Sequence, residues 1–90
     1  MAEAKKISKH LLEQNLIACS NMFPIQSMYK WKGKLVDEGE VAMLCKAKKD
    51  NFTKIEAVVK KLHSYDVPCI IAFNWAESSK EFSDWVEASD

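Results

Sequence analysis

The sequence predicts one α+β domain whose elements run α-β-β-α-β-α. Three observations carry that expectation: apolar residues recur every three to four positions in helix-length segments, they alternate or run unbroken in strand-length ones, and both glycines fall between two of the latter. In residues 2–16, Ile7, Leu11, Leu12 and Leu16 lie close to one helical face, while Lys5, Lys6, Lys9 and Glu13 take the other. This segment reads as a surface helix that stops near Gln14 or Asn15. Residues 21–32 follow, with Tyr29 and Trp31 alternating with Lys30 and Lys32 in the two-residue period of a strand. Gly33, Gly39, Asp37 and Glu38 mark residues 32–40 as the reversal before a second strand at 41–48. The two strands form an antiparallel hairpin.

Asp50 or Asn51 is the expected cap of a second helix, in which Phe52, Ile55, Val59 and Leu62 recur at intervals of three and four and which ends near His63 and Ser64. Residues 67–73 are nearly all apolar, with Pro68 near the start where a missing amide is tolerated, so a buried strand is expected there. Ser78 followed by Glu81 matches a capping box, opening a short last helix with Phe82, Trp85 and Val86 turned inward. No repeat or linker divides residues 1–90, which read as a single domain.

Thirteen basic and thirteen acidic side chains cancel in a 90-residue chain that is 48% hydrophobic, a balance that excludes intrinsic disorder. Tyr29 and Trp31, interleaved with Lys30, Lys32 and Lys34, have the makings of a base-stacking platform. Zero net charge and the absence of the aromatic and glycine pattern of RNA-recognition strands argue against nucleic acid as a partner. No apolar run reaches the roughly 18 residues of a membrane span. Residues 1–9 are charged and lack the apolar core and cleavage site of a secretory signal, so a cytoplasmic location is expected. Cys19, Cys45 and Cys69 are odd in number and widely spaced, which favours reduced thiols over a disulfide framework.

The strands carry a further message. A strand covered on one face alternates apolar with polar, yet Val41, Met43 and Cys45 alternate with Ala42 and Leu44, and Cys69, Ile71 and Phe73 with Ile70 and Ala72. Both faces of these strands ask for cover. Right-handed crossovers place the two long helices on one face, so a second copy of the chain is the expected cover of the other. The alternative is that the last helix and the hairpin fold over that face within one chain.

Candidate chemistry is sparse. No Cys-x-x-Cys, paired catalytic carboxylates, hydrolase triad or glycine-rich phosphate loop is present, so no enzyme activity is expected. Cys45 and Cys69 sit inside apolar runs and read as small hydrophobes. Cys19 lies at a helix-to-strand junction, where it serves either core packing or as a soft ligand. His63, Tyr65 and Asp66 cluster where the second helix ends: imidazole, phenol and carboxylate suit a cation or a polar ligand. A histidine facing helix carbonyls and an aspartate shaping a turn are the structural alternative.

The junction Leu16-Ile17-Ala18-Cys19-Ser20-Asn21, the run from Ser27 through Tyr29, Trp31 and Gly33 to Lys34, Lys46 at a strand end, the run from His63 through Tyr65 and Asp66 to Pro68, and a late Trp85 resemble the CutA family of divalent-cation tolerance proteins. The likeness spans essentially the whole chain. It implies a ferredoxin-like, PII-like two-layer sandwich with an antiparallel sheet, assembled as a homotrimer, with no established catalysis and a role in tolerance of copper and other divalent cations. By the same resemblance Cys19, His63 and Asp66 are the candidate metal ligands, with no cofactor required beyond a divalent ion such as copper. Trp31, Tyr65 and Trp85 are candidate walls of a cleft between subunits, and Lys46 is the candidate to attract an anion there or to pair with Asp66. The rival role is a non-catalytic assembly or anchoring module that binds a protein partner. Members begin with a strand ahead of the first helix, whereas residue 1 here matches the start of that helix. Either Met1 is internal to a longer protein, or the last strand pairs directly with the hairpin.

Overall fold

A computed structural model describes residues 1–65 and 67–88. Helix α1 (Ala2–Glu13) buries Ala4, Ile7, Ser8 and Leu11, the i, i+3, i+4, i+7 stripe of one helical face. Leu12, expected inward, is 42% exposed because each helical step turns the side chain about 100° and the stripe through Leu11 leaves it at the margin. The helix stops where predicted. Asn15 adopts a left-handed φ of 57°, and the amides of Asn15 and Leu16 donate back to the carbonyls of Leu12 and Leu11. These two bonds make a Schellman ending, with Asn in the place usually held by Gly.

The chain then enters β1 (Cys19–Trp31), turns, and returns as β2 (Lys34–Lys46). The register is unbroken from Cys19 opposite Lys46 to Trp31 opposite Lys34. The reversal is therefore tighter than expected: the loop is Lys32 and Gly33 alone, with φ of 53° and 79°. Two positive φ values define the turn type whose twist suits a hairpin, and the acidic residues 37, 38 and 40, expected to lie in a loop, join the strand instead. There they gain cross-strand partners, as when Gln26 Nε2 donates to Asp37 Oδ1 at 2.9 Å.

A 3₁₀ turn (Lys49–Asn51) leads into α2 (Phe52–Leu62). Neither Asp50 nor Asn51 caps the helix with its side chain; Asn51 Nδ2 donates to the Leu16 carbonyl at 3.1 Å and ties the α1–β1 junction to α2. Ile7, Leu11 and Ile17 form the buried centre, against which Met43, Cys45, Ile55, Val59 and Leu62 pack. The core therefore sits between both long helices and one face of the hairpin base. Strands of 13 residues run about 43 Å, well beyond a 12-residue helix of about 18 Å, so the hairpin tip overhangs and the described chain measures 45 × 26 × 21 Å.

Helix α3 (Lys80–Glu87) is capped by Ser79, whose Oγ accepts from the Phe82 amide at 3.2 Å, one residue later than the expected Ser78. Ser78 instead bonds Ser83 Oγ and the Ser79 carbonyl. Val86 is buried as expected, but Trp85 is half exposed.

Residues 67–73 depart most from expectation. Among the described residues the sheet is β1 and β2 only, and Val67, Ile71 and Phe73 are exposed rather than buried. The direct pairing of this segment with the hairpin does not occur. Just before this segment, Tyr65 meets β2 through its side chain, with its hydroxyl on Glu38, and not through a backbone ladder. Among the described residues no helix is long and apolar enough to cross a membrane.

Candidate functional site

Residues 63–65, directly after α2, are tied down from two sides. Glu3, in the first turn of α1, accepts the Ser64 amide at 2.9 Å and the Ser64 hydroxyl at 3.0 and 3.1 Å on its two oxygens. These bonds hold the Glu3 carboxyl below its ordinary pKa, with His63 adding to the effect. His63 leaves the helix in extended conformation, and its Nδ1 lies 3.5 Å from Glu3 Oε1 while accepting the Tyr65 amide at 2.9 Å. The His63 and Tyr65 rings meet edge to face with centroids 4.9 Å apart.

On the other side, the Tyr65 hydroxyl donates to Glu38 Oε1 at 2.9 Å, and the Tyr29 hydroxyl donates to the same oxygen at 3.0 Å. Both phenols are pushed above their usual pKa, because ionising either places a phenolate against the carboxylate it was bonding. The Glu40 carboxylate adds to this at both. Tyr65 thereby stands between two open cavities. One, of about 590 Å³, lies between α1 and the middle of the hairpin and includes Glu3, Gly39 and His63 in its lining. The other, of about 530 Å³, is lined by Trp31 and Cys69 as well as Tyr29, Glu38 and Glu40.

Of the predicted site residues, His63, Tyr65 and Trp31 converge on these cavities. Cys19 does not. It is half-buried at the hairpin base opposite Lys46, and Lys46 is eight strand steps from Glu38, about 26 Å along β2. Lys46 Nζ donates to Asn21 Oδ1. Trp85 packs against Phe82, with centroids 5.8 Å apart, and lines neither cavity. Asp66 lies outside the described residues. Among those described, no three His, Cys, Asp or Glu side chains are grouped to hold a metal ion. The Cys45 thiol, facing the core, is pushed up by burial. Sequence reasoning missed Glu3 and Glu38, and it gave Tyr29 no part in the cleft. Glu3 and Ser64 are too far apart in sequence for any spacing rule, and Glu38 falls in the stretch mistaken for a turn.

The two-layer arrangement of helices on an antiparallel hairpin, with a tyrosine-bearing link seated at its edge, defines an α+β protein of the PII-like kind. The profile of the CutA1 divalent ion tolerance protein family matches residues 1–89. A divalent-cation tolerance protein CutA from Archaeoglobus fulgidus is 42% identical over 87 residues, 97% of this chain and 85% of that one. One from Thermus thermophilus is 40% identical over 84 residues, covering 92% and 82%. Among solved structures, the periplasmic divalent cation tolerance protein CutA from Archaeoglobus fulgidus superposes with a TM-score of 0.97 at 42% identity, covering 99% of this chain and 87% of that one. The PII-like protein CutA from Nostoc sp. PCC 7120, in its apo form, gives 0.85 at 28% identity, covering 91% and 81%. The chain belongs to the CutA family of divalent-cation tolerance proteins.

Proposed function

We propose that this chain serves divalent-cation tolerance as a homotrimer that binds copper at clefts between subunits, without catalysing a reaction and without a cofactor of its own. The observation that carries this reading is the separation inside one chain: Cys19 lies at the hairpin base, whereas His63 lies beside Glu3 at the opposite end of α1. Soft sulfur and imidazole donors so placed can meet only across a boundary between copies.

The donor chemistry fits a borderline cation, with Cys19 supplying thiolate, His63 nitrogen and Asp66 carboxylate. Nδ1 of His63 faces the Tyr65 amide at 2.9 Å and Glu3 Oε1 at 3.5 Å, which leaves Nε2 as the nitrogen that would hold a divalent ion. A carboxylate behind a coordinating imidazole is the usual orienting partner. Trp31 and Tyr65 wall the cleft, and Trp85 and Lys46 join it from a neighbouring copy. The free thiols of Cys19, Cys45 and Cys69 support a reducing, cytoplasmic site of action.

Copper titration of the purified chain tests this reading. It predicts saturable binding that falls at least tenfold in Cys19→Ala and in His63→Ala. No saturable binding, or binding unchanged in both variants, contradicts it. The exposed Val67, Ile71 and Phe73 favour one second reading, an anchoring module with a protein partner, which predicts a partner retained by a variant that has lost copper.

A further inference from the structure

The cavity on the Trp31 side of Tyr65 contains Tyr29 and two carboxylates, Glu38 and Glu40, that the metal reading does not use. Its walls include three aromatic rings, those of Tyr29, Trp31 and Tyr65, each roughly 40% exposed, and its lining includes the carboxylates of Glu38 and Glu40. Among the described residues lining it there is no lysine, arginine or histidine, so the two negative charges meet no cation within the cavity. The two tyrosine hydroxyls anchor on one oxygen of Glu38, which fixes both rings against the same carboxylate. Among the described residues no three His, Cys, Asp or Glu side chains are grouped to hold a metal ion, and these two carboxylates alone fall short of the donor set a divalent metal needs.

From this geometry we infer that the cavity lined by Tyr29, Trp31, Tyr65, Glu38 and Glu40 binds a small, free alkylammonium ion. Aromatic faces attract a cation through their quadrupole, and they do so best for one whose charge is spread over alkyl groups and is cheap to desolvate. The carboxylates add long-range attraction and accept any N–H the ligand carries. The Trp31 ring already has an ammonium group beside it: Lys32 Nζ lies 6.0 Å from its centroid. A cavity of about 530 Å³ suits a small molecule. The inference shares the walls Trp31 and Tyr65 with the proposed cleft between copies and in that respect rests on that reading, but its ligand-binding groups are the rings and carboxylates rather than Cys19 or His63.

Calorimetric titration of the full chain with tetramethylammonium chloride tests it, with sodium chloride and tert-butanol as the ionic and neutral controls. The expected result is saturable binding in the range of about 1 mM, at least tenfold weaker for tert-butanol. Trp31→Ala and Glu38→Gln are each expected to weaken it about tenfold, Trp31→Phe to weaken it less, and Cys19→Ala to leave it intact. The inference is overturned if tetramethylammonium does not saturate, if tert-butanol binds equally, or if folded Trp31→Phe and Glu38→Gln variants bind like the wild type. A trimethyllysine peptide that binds at least as tightly as the free ion overturns the assignment to a small free ligand.

Discussion

Glu38 is the residue on which the two halves of the site converge. One of its oxygens receives hydroxyl protons from Tyr29 on β1 and Tyr65 on the link after α2, so a single carboxylate pins the hairpin to a segment 27 positions away. The pH dependence follows from the direction of the shifts. Both phenols are raised, so the stability they contribute is complete below the ordinary tyrosine pKa of about 10 and is lost as pH rises through their elevated values. The chain has two tyrosines in all, which makes the prediction clean. In a tyrosinate absorbance titration neither phenol ionises at its ordinary pKa in the wild type, and both move down toward it in Glu38→Gln. Midpoints that do not move would remove Glu38 from this role. None of this was readable beforehand: Glu38 sat among turn-like residues, and Glu3 and Ser64 are joined only by the packing of α1 beside α2.

At the scale of elements, the helices were legible because their signal is periodic and local. The stripe through Ile7 and Leu11 and the run through Ile55, Val59 and Leu62 both face the core as expected. The hairpin was legible as a hairpin but not in its register. A lysine in left-handed conformation leaves no mark in the sequence, whereas an acidic run beside two glycines looks like a loop. Gly33 holds the actual turn at φ 79°, and a side chain added there meets nothing within 4 Å. Replacement therefore costs backbone strain alone. Gly33→Val is expected to destabilise the protein by about 1–2 kcal/mol in urea unfolding, with Gly33→Asn costing clearly less. A Gly33→Val protein as stable as the wild type would show that this turn does not set the register.

The molecule as a whole leaves large apolar side chains uncovered among its described residues. Half of the hairpin extends past the helices, Phe23 and Leu44 are exposed on the face away from α1, and Phe73 is 84% exposed in a segment composed like a buried strand. Sequence alternation recorded that these surfaces need cover on both sides, but not which segments or copies supply it. That is why residues 67–73 were expected to be buried and are not. Apolar surface of this kind on a protein of 90 residues marks a site of association. The homotrimer proposed here covers it with copies of the same surface and brings the hairpin base of one copy toward the 63–65 link of another.

The most direct test is the solution mass, measured by light scattering across micromolar concentrations. The account predicts three times the single-chain mass, unchanged on dilution and independent of added copper. A stable monomer over that range would contradict it, because the exposed sheet face would then be open to water and no cleft between copies would exist.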